Sequence, residues 1–235
     1  MIFDPTYLLF ILPAFLLSLW ASWRTRSAFK KYSRVRTLSG LTGAQAAKRL
    51  LDAAGITDVE IVPTRGKLSD HYNPITKKLA LSEPVYGTPS VAAVGVACHE
   101  AGHAIQHATK YAPLWLRSAL VPTANIGSSI GYIVMMIGLF LVYAESALGQ
   151  TVVLFGAILF SAVLLFQVVT LPVEFDASAR AKKLAFEHGI VVAAERDGMA
   201  KVLNAAALTY VAAVVSTLMT LLYFLLRSGL LGGRR

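Results

Sequence analysis

Four stretches of the chain, residues 7–23, 126–143, 151–170 and 205–226, are runs of apolar side chains with few interruptions. Each is long enough to cross the hydrocarbon core of a bilayer as a helix. A backbone in lipid must satisfy its own hydrogen bonds, so four such stretches commit the molecule to a helical bundle before any other residue is read. The composition agrees: 56% of residues are hydrophobic and the mean hydropathy is +0.60, well outside the range of an ordinary soluble domain. Only residues 144–150 separate the second stretch from the third, so these two must form a tight hairpin.

The charges orient the bundle. Arg24, Arg26, Lys30, Lys31, Arg34 and Arg36 crowd the exit of the first stretch, while no Lys or Arg precedes it. By the positive-inside rule the N-terminus faces outward and the chain beyond Arg24 starts in the cytoplasm. The missing basic leader and the absence of a small-x-small cleavage site mark this stretch as an uncleaved anchor and not a signal peptide. Four crossings would place the C-terminus outside, against the preference of Arg227, Arg234 and Arg235. The net charge of +9 is concentrated beside the apolar stretches. It therefore speaks for topology and lipid headgroups, with no nucleic-acid partner. Cys98 is the only cysteine, cannot pair within the chain, and reads as a small buried residue.

Between the first two stretches lies a segment with the rhythm of soluble structure. Thr42 is placed to cap a helix ending at Gly55. The runs "DVEIVPT", "KLSDHY" and "TKKLALS", with a turn at Asn73-Pro74, predict a small hairpin-containing sheet. A further helix is expected to open at Thr88-Pro89 and to reach about Ala108. The order of helix, strands and helix resembles the N-terminal half of a zincin metallopeptidase, in which an edge strand holds the substrate above a metal-binding helix. Residues 76–82 are the candidate for that edge, or else an ordinary surface strand. The expected organisation is a membrane anchor and basic linker (1–36), a zincin-like domain (37–120), a transmembrane hairpin (121–170), a cytoplasmic helical segment (171–204) and a C-terminal transmembrane helix with its tail (205–235). The fold class is thus an α-helical membrane protein of about four transmembrane helices with a small α+β cytoplasmic domain.

The last helix of that domain contains "ACHEAGHAIQH". His99 and His103, four residues apart, lie on one face about 6 Å apart along the axis, so two imidazoles can reach one metal ion. Glu100, beside the first, can touch a water held by the metal without being a ligand, as a zinc hydrolase requires of its base. Catalytic zinc needs a third protein ligand. His107 lies about 12 Å along the helix from His99, too far to share the ion. Glu174 and Asp176 follow an expected helix break at Pro172 in "LPVEFDASARAKK", two crossings later and so on the same side of the membrane. Small residues Ala177, Ser178 and Ala181 would let that segment pack closely on Gly95, Cys98 and Gly102. Spacing alone leaves two readings of Glu174 open: third ligand, or a snorkelling acid beside a surface pair of Asp176 and Arg180. His71, Tyr72 and Tyr210 are candidate donors to a developing oxyanion, with His71 and Tyr210 expected in the catalytic set.

Four blocks in order, "SDHYNP", "VACHEAGHAIQHA", "LPVEFDASARA" and "LNAAALTYVAA", resemble the YugP-like family of neutral zinc metallopeptidases of bacterial membranes over essentially the whole chain. The resemblance implies a membrane-embedded, gluzincin-like peptidase with Zn2+ held by His99, His103 and Glu174, and Glu100 as general base. A more distant similarity is to HtpX-like and CAAX prenyl peptidases. Their ligand glutamate is followed four residues on by an aspartate, where this chain has Ser178. The expected function is hydrolysis of protein or peptide substrates near the cytoplasmic face of the bacterial plasma membrane, by a multi-pass protein whose other partner is the lipid bilayer. The alternatives are a site-2-type intramembrane zinc protease, whose leucine-aspartate-glycine motif is missing, and a catalytically inactive scaffold. A zinc channel would need polar ligands stacked through spans that lack them. The sequence specifies neither substrate nor oligomeric state.

Overall fold

A computed structural model describes residues 4–66 and 68–232. Lys67 in the second strand-like run, and Arg234 and Arg235 of the tail, lie outside the described residues. The elements are α1 (Pro5–Tyr32), α2 (Gly43–Ala53), β1 (Glu60–Thr64), β2 (His71–Asn73), β3 (Lys78–Ser82), α3 (Glu83–Tyr86), α4 (Val91–Ala108), α5 (Ala112–Ile126), α6 (Tyr132–Tyr143), α7 (Gly149–Glu187) and α8 (Ala193–Arg227). One turn of π-helix, Gly127–Gly131, joins α5 to α6. The protein is mostly helical, and four of its helical segments are long and apolar enough to cross a membrane: Pro5–Tyr32, Ala112–Tyr143, Gly149–Glu187 and Ala193–Arg227. All four expected spans fall within them, but every helix extends beyond its apolar stretch. The expected break at Pro172 does not occur: α7 continues through it to Glu187. A proline costs the helix one N–H donor there, yet its fixed φ is compatible with helix.

Residues 4–20, 116–171 and 210–232 form one compact unit. Its core gathers Met135, Leu139, Val153, Ala157, Phe160, Leu221, Tyr223 and Phe224. Leu9, Phe140, Ile158 and Phe155 point outward, as lipid-facing side chains should. The α6–α7 hairpin is held by glycines. A Cβ on Gly156 would lie 2.6 Å from the Met135 nitrogen and one on Gly131 would lie 2.8 Å from the Phe160 nitrogen, so only glycine permits these helices to approach so closely. Ser18 and Ser216 hydrogen-bond at 3.1 Å between α1 and α8. At one end, Arg227 Nε meets Asp4 Oδ2 at 2.9 Å and its Nη2 donates to Tyr143 Oη at 2.7 Å. The pairing gives Arg227, the last residue of α8, an acidic partner.

Residues 21–115 and 172–209 form the second unit. Thr42 caps α2 in a reciprocal capping box with Gln45. Leu50 and Leu51 of that helix join Leu79 and Leu81 of β3 in a core shared with α4. The sheet runs in the order β1-β3-β2. β1 is parallel to β3, with Glu60 opposite Lys78, and β2 is antiparallel to it, with Tyr72 opposite Leu79. Residues 76–82 are therefore no edge strand: β3, within that range, is the buried centre of the sheet, and β1 and β2 are its edges. At the β2–β3 turn the Asn73 side chain accepts from the Ile75 and Thr76 nitrogens at 2.9 and 3.2 Å, which is why Asn-Pro marks this reversal. α4 starts two residues later than expected. Ser90 is its cap, its Oγ accepting from the Ala93 nitrogen at 3.2 Å.

Candidate metal centre

α4 is built almost entirely of small residues on its buried face: Ala93, Ala97, Ala101 and Ala104 are all within 1% of full burial. Such a face lets neighbouring backbones approach. A Cβ on Gly102 would lie 2.6 Å from the Ala177 carbonyl oxygen, so α7 runs against α4 in van der Waals contact at the glycine just before His103. The expectation of small-residue packing holds for Gly102. It fails for Gly95, whose missing Cβ faces Met199 of α8 instead, at 3.3 Å from its Cγ.

This contact brings Glu174 to the histidines. His99 Nε2 is 3.2 Å and His103 Nε2 3.6 Å from the same oxygen, Glu174 Oε2. The two rings stand edge to face with centroids 4.7 Å apart. One ligand atom from each of the three residues lies within 4.8 Å of the others. Two imidazole nitrogens and a carboxylate converging in this way are the donor set of a tetrahedral zinc site with one position left over. His103 and Glu174 are buried and His99 nearly so. Of the two readings left open by the sequence, the ligand reading fits the position of Glu174. Asp176 points elsewhere and pairs with Arg180, Nε to Oδ2 at 2.6 Å.

The ring nitrogens on the far side of each histidine are also engaged. His99 Nδ1 shares a hydrogen bond of 3.0 Å with Ser178 Oγ. Ser178 lies four residues after Glu174 on α7, so the helix that carries Glu174 also reaches His99. His103 Nδ1 lies 3.0 Å from Gln106 Oε1, and Gln106 Nε2 donates to Val173 O and Asp176 Oδ2, both at 2.8 Å. Burial works against a charge on His103, but hydrogen bonding to Glu174, the charges of Glu100 and Glu174, and the Gln106 oxygen outweigh it and raise its pKa. Sequence reasoning missed Gln106. An amide three residues past His103 carries no signal until its partners on another helix are known.

Glu100 is buried on α4 beside His99. His71 is exposed on β2 and its Nδ1 is 2.8 Å from the Ser69 carbonyl oxygen, which ties it to the loop that leads into the strand. Its neighbour Tyr72 reaches α4 instead: Tyr72 Oη and His107 Nδ1 are 2.8 Å apart. Burial, then the charge of Asp58, raises the phenol pKa above its ordinary value. His107 is thus a partly buried residue of the last turn of α4. Tyr210 lies on α8 in the unit of the spans. Cys98 is fully buried, and burial pushes its thiol pKa up to about 12.

A family described as "Putative neutral zinc metallopeptidase" matches residues 7–229. The "Putative membrane protease YugP" of Bacillus subtilis (strain 168) is 45% identical over 210 residues, covering 89% of this chain and 91% of that protein. No solved structure matches.

Proposed function

The chain belongs to the "Putative neutral zinc metallopeptidase" family, and from that premise we propose that it is a membrane-embedded zinc endopeptidase of the gluzincin type. It would cleave proteins or peptides near the cytoplasmic face of the plasma membrane. The observation that carries the reading is the convergence of His99, His103 and Glu174 on one point between α4 and α7. A zinc ion held there supplies a Lewis acid and brings the ionisation of water toward neutral pH. The remaining chemistry belongs to side chains. Glu100, next to the first ligand on the same helix, is the base that takes the proton of the attacking water and returns it to the leaving amine. β2, an edge of the sheet, offers its open side to an extended substrate, so that backbone hydrogen bonds fix the peptide while its side chains vary. His71 on that strand and Tyr210 at the start of the last span are candidate donors to the oxyanion.

Detergent-purified protein should contain one zinc per chain and hydrolyse unfolded casein. Glu100→Gln should retain the metal and lose at least ~10²-fold in rate, the usual cost of removing a general base. A metal-free wild type, or a fully active Glu100→Gln variant, would overturn the reading.

A further inference from the structure

Gln106 is completely buried, and its side-chain amide meets three different groups. Two of them, the Val173 carbonyl oxygen and the Asp176 carboxylate, are both 2.8 Å from Nε2. A carbonyl oxygen can only accept, and so can an ionised carboxylate. The amide NH2 must therefore face α7, and a reversed amide would set an oxygen against two oxygens in a buried place. That leaves Oε1 directed at His103 Nδ1, 3.0 Å away. An amide oxygen can only accept, so His103 must carry a proton on Nδ1. The lone pair used for metal is then on Nε2, the nitrogen that faces Glu174. Asp176 is held in turn by Arg180, whose guanidinium lies 5.6 Å from the centre of the Tyr111 ring. Tyr111 donates its backbone N–H to the Gln106 carbonyl at 2.9 Å, which closes the network around the base of α4.

The first ligand has no such lock. Ser178 Oγ can donate to His99 Nδ1 or accept from it, so that contact is compatible with either ring tautomer. Neutral imidazole in water favours the proton on the other nitrogen, Nε2, and a ring in that form must shift its proton before it can bind metal through Nε2.

We propose that Gln106 is a positioning residue of the metal centre: by spending both amide hydrogens on α7 it dictates an Nδ1–H ring at His103 and ties the second histidine ligand to the helix that carries Glu174. The proposal rests on the zinc-centre reading and extends it to a residue that touches neither metal nor substrate. Outer partners of metal-bound histidines commonly account for 10- to 100-fold in metal affinity.

The test uses full-length protein labelled with 15N-histidine in detergent micelles, with zinc affinity measured by chelator competition. In metal-free wild type, the His103 ring proton should be found on Nδ1 as a slowly exchanging resonance, whether or not Nε2 is also protonated. Gln106→Met should lose that protection and bind zinc about 10- to 100-fold more weakly. A His103 Nδ1 without a proton in the metal-free wild type would overturn the proposal, and that measurement requires no variant to fold. So would wild-type zinc affinity in Gln106→Met. Failure of the wild type to bind zinc at all is a different result, and it would overturn the metal centre itself.

Discussion

Gly102 and Ala177 bring two helices together backbone to backbone, with only 2.6 Å between the Ala177 carbonyl oxygen and the point where a Cβ on Gly102 would sit. Glu174 is three residues before Ala177 on α7 and His103 is one residue after Gly102 on α4, so the spacing of the helices sets the spacing of the proposed ligands. Gly102→Ala should force the helices apart, because the obstructing atom is backbone and cannot rotate away. We expect at least tenfold weaker zinc binding together with a stability loss of about 1–3 kcal/mol, typical of overpacking. Chelator competition and thermal melting of the metal-free protein check the two effects separately, and an unchanged zinc affinity would show that Glu174 does not depend on this contact.

Ser178 is the second point at which α7 acts on α4. Its hydroxyl hydrogen-bonds His99 Nδ1 at 3.0 Å. Ser178→Ala should weaken zinc binding by roughly 10-fold, at the lower end of the range for such partners because a neutral hydroxyl is being lost. Ser178→Asp, which sets a carboxylate against His99 Nδ1, should hold zinc at least as tightly as wild type. An aspartate variant weaker than the alanine variant would mean that the pocket excludes charge and that the serine is there for its size.

The spans, the cap at Thr42 and the motif helix are legible because each rests on local chemistry: run length, a hydroxyl before a helix, two histidines at helical spacing. Glu174 was legible only as one of two readings, since a carboxylate beside a membrane has an ordinary use as well as a catalytic one. The central position of β3 is not legible in the sequence. A run as apolar as Leu79–Leu81 fits a buried strand as well as an edge, and which neighbour inserts beside it depends on the parallel pairing with β1, a contact remote in sequence. Proline usually interrupts a helix, so Pro172 predicts a break that α7 does not make. Gln106 could not be read at all, because its three partners lie on two helices and the residues between them include two spans.

The ion pair between Asp4 and Arg227, at 2.9 Å, and the hydrogen bond from Gln150 Nε2 to Ser228 O, at 2.9 Å, place the start of α1, the start of α7 and the end of α8 at one end of the span bundle. If the basic residues from Arg24 to Arg36 face the cytoplasm, as the positive-inside rule predicts, that end faces outward. Ala147→Cys should react with a membrane-impermeant maleimide added to intact cells, while Arg34→Cys should react only after permeabilisation. Cys98 supplies no background, since it is fully buried and its thiol pKa is pushed up to about 12. Labelling of Arg34→Cys from outside would reverse the topology and move the metal centre to the opposite face.

Tyr72 is the donor candidate whose contact with the motif helix is direct. Its hydroxyl is 2.8 Å from His107 Nδ1, one turn beyond His103, and it sits on β2, the edge strand on which a substrate would lie. A phenol whose pKa is raised by burial and by Asp58 stays protonated above its ordinary ionisation range, so it remains a hydrogen-bond donor throughout neutral and mildly alkaline solution. The sign matters: activity should not fall between pH 7 and about 10 through loss of this proton. Tyr72→Phe keeps the ring and its packing while removing the donor. It should leave zinc content unchanged and reduce kcat by about 10²-fold, the usual cost of one oxyanion donor, with little change in KM. His107→Ala would release the hydroxyl from its partner and should have a smaller effect in the same direction. If Tyr72→Phe retains full turnover while Tyr210→Phe does not, the donor belongs to the last span, and the Tyr72–His107 hydrogen bond serves only to hold β2 against α4.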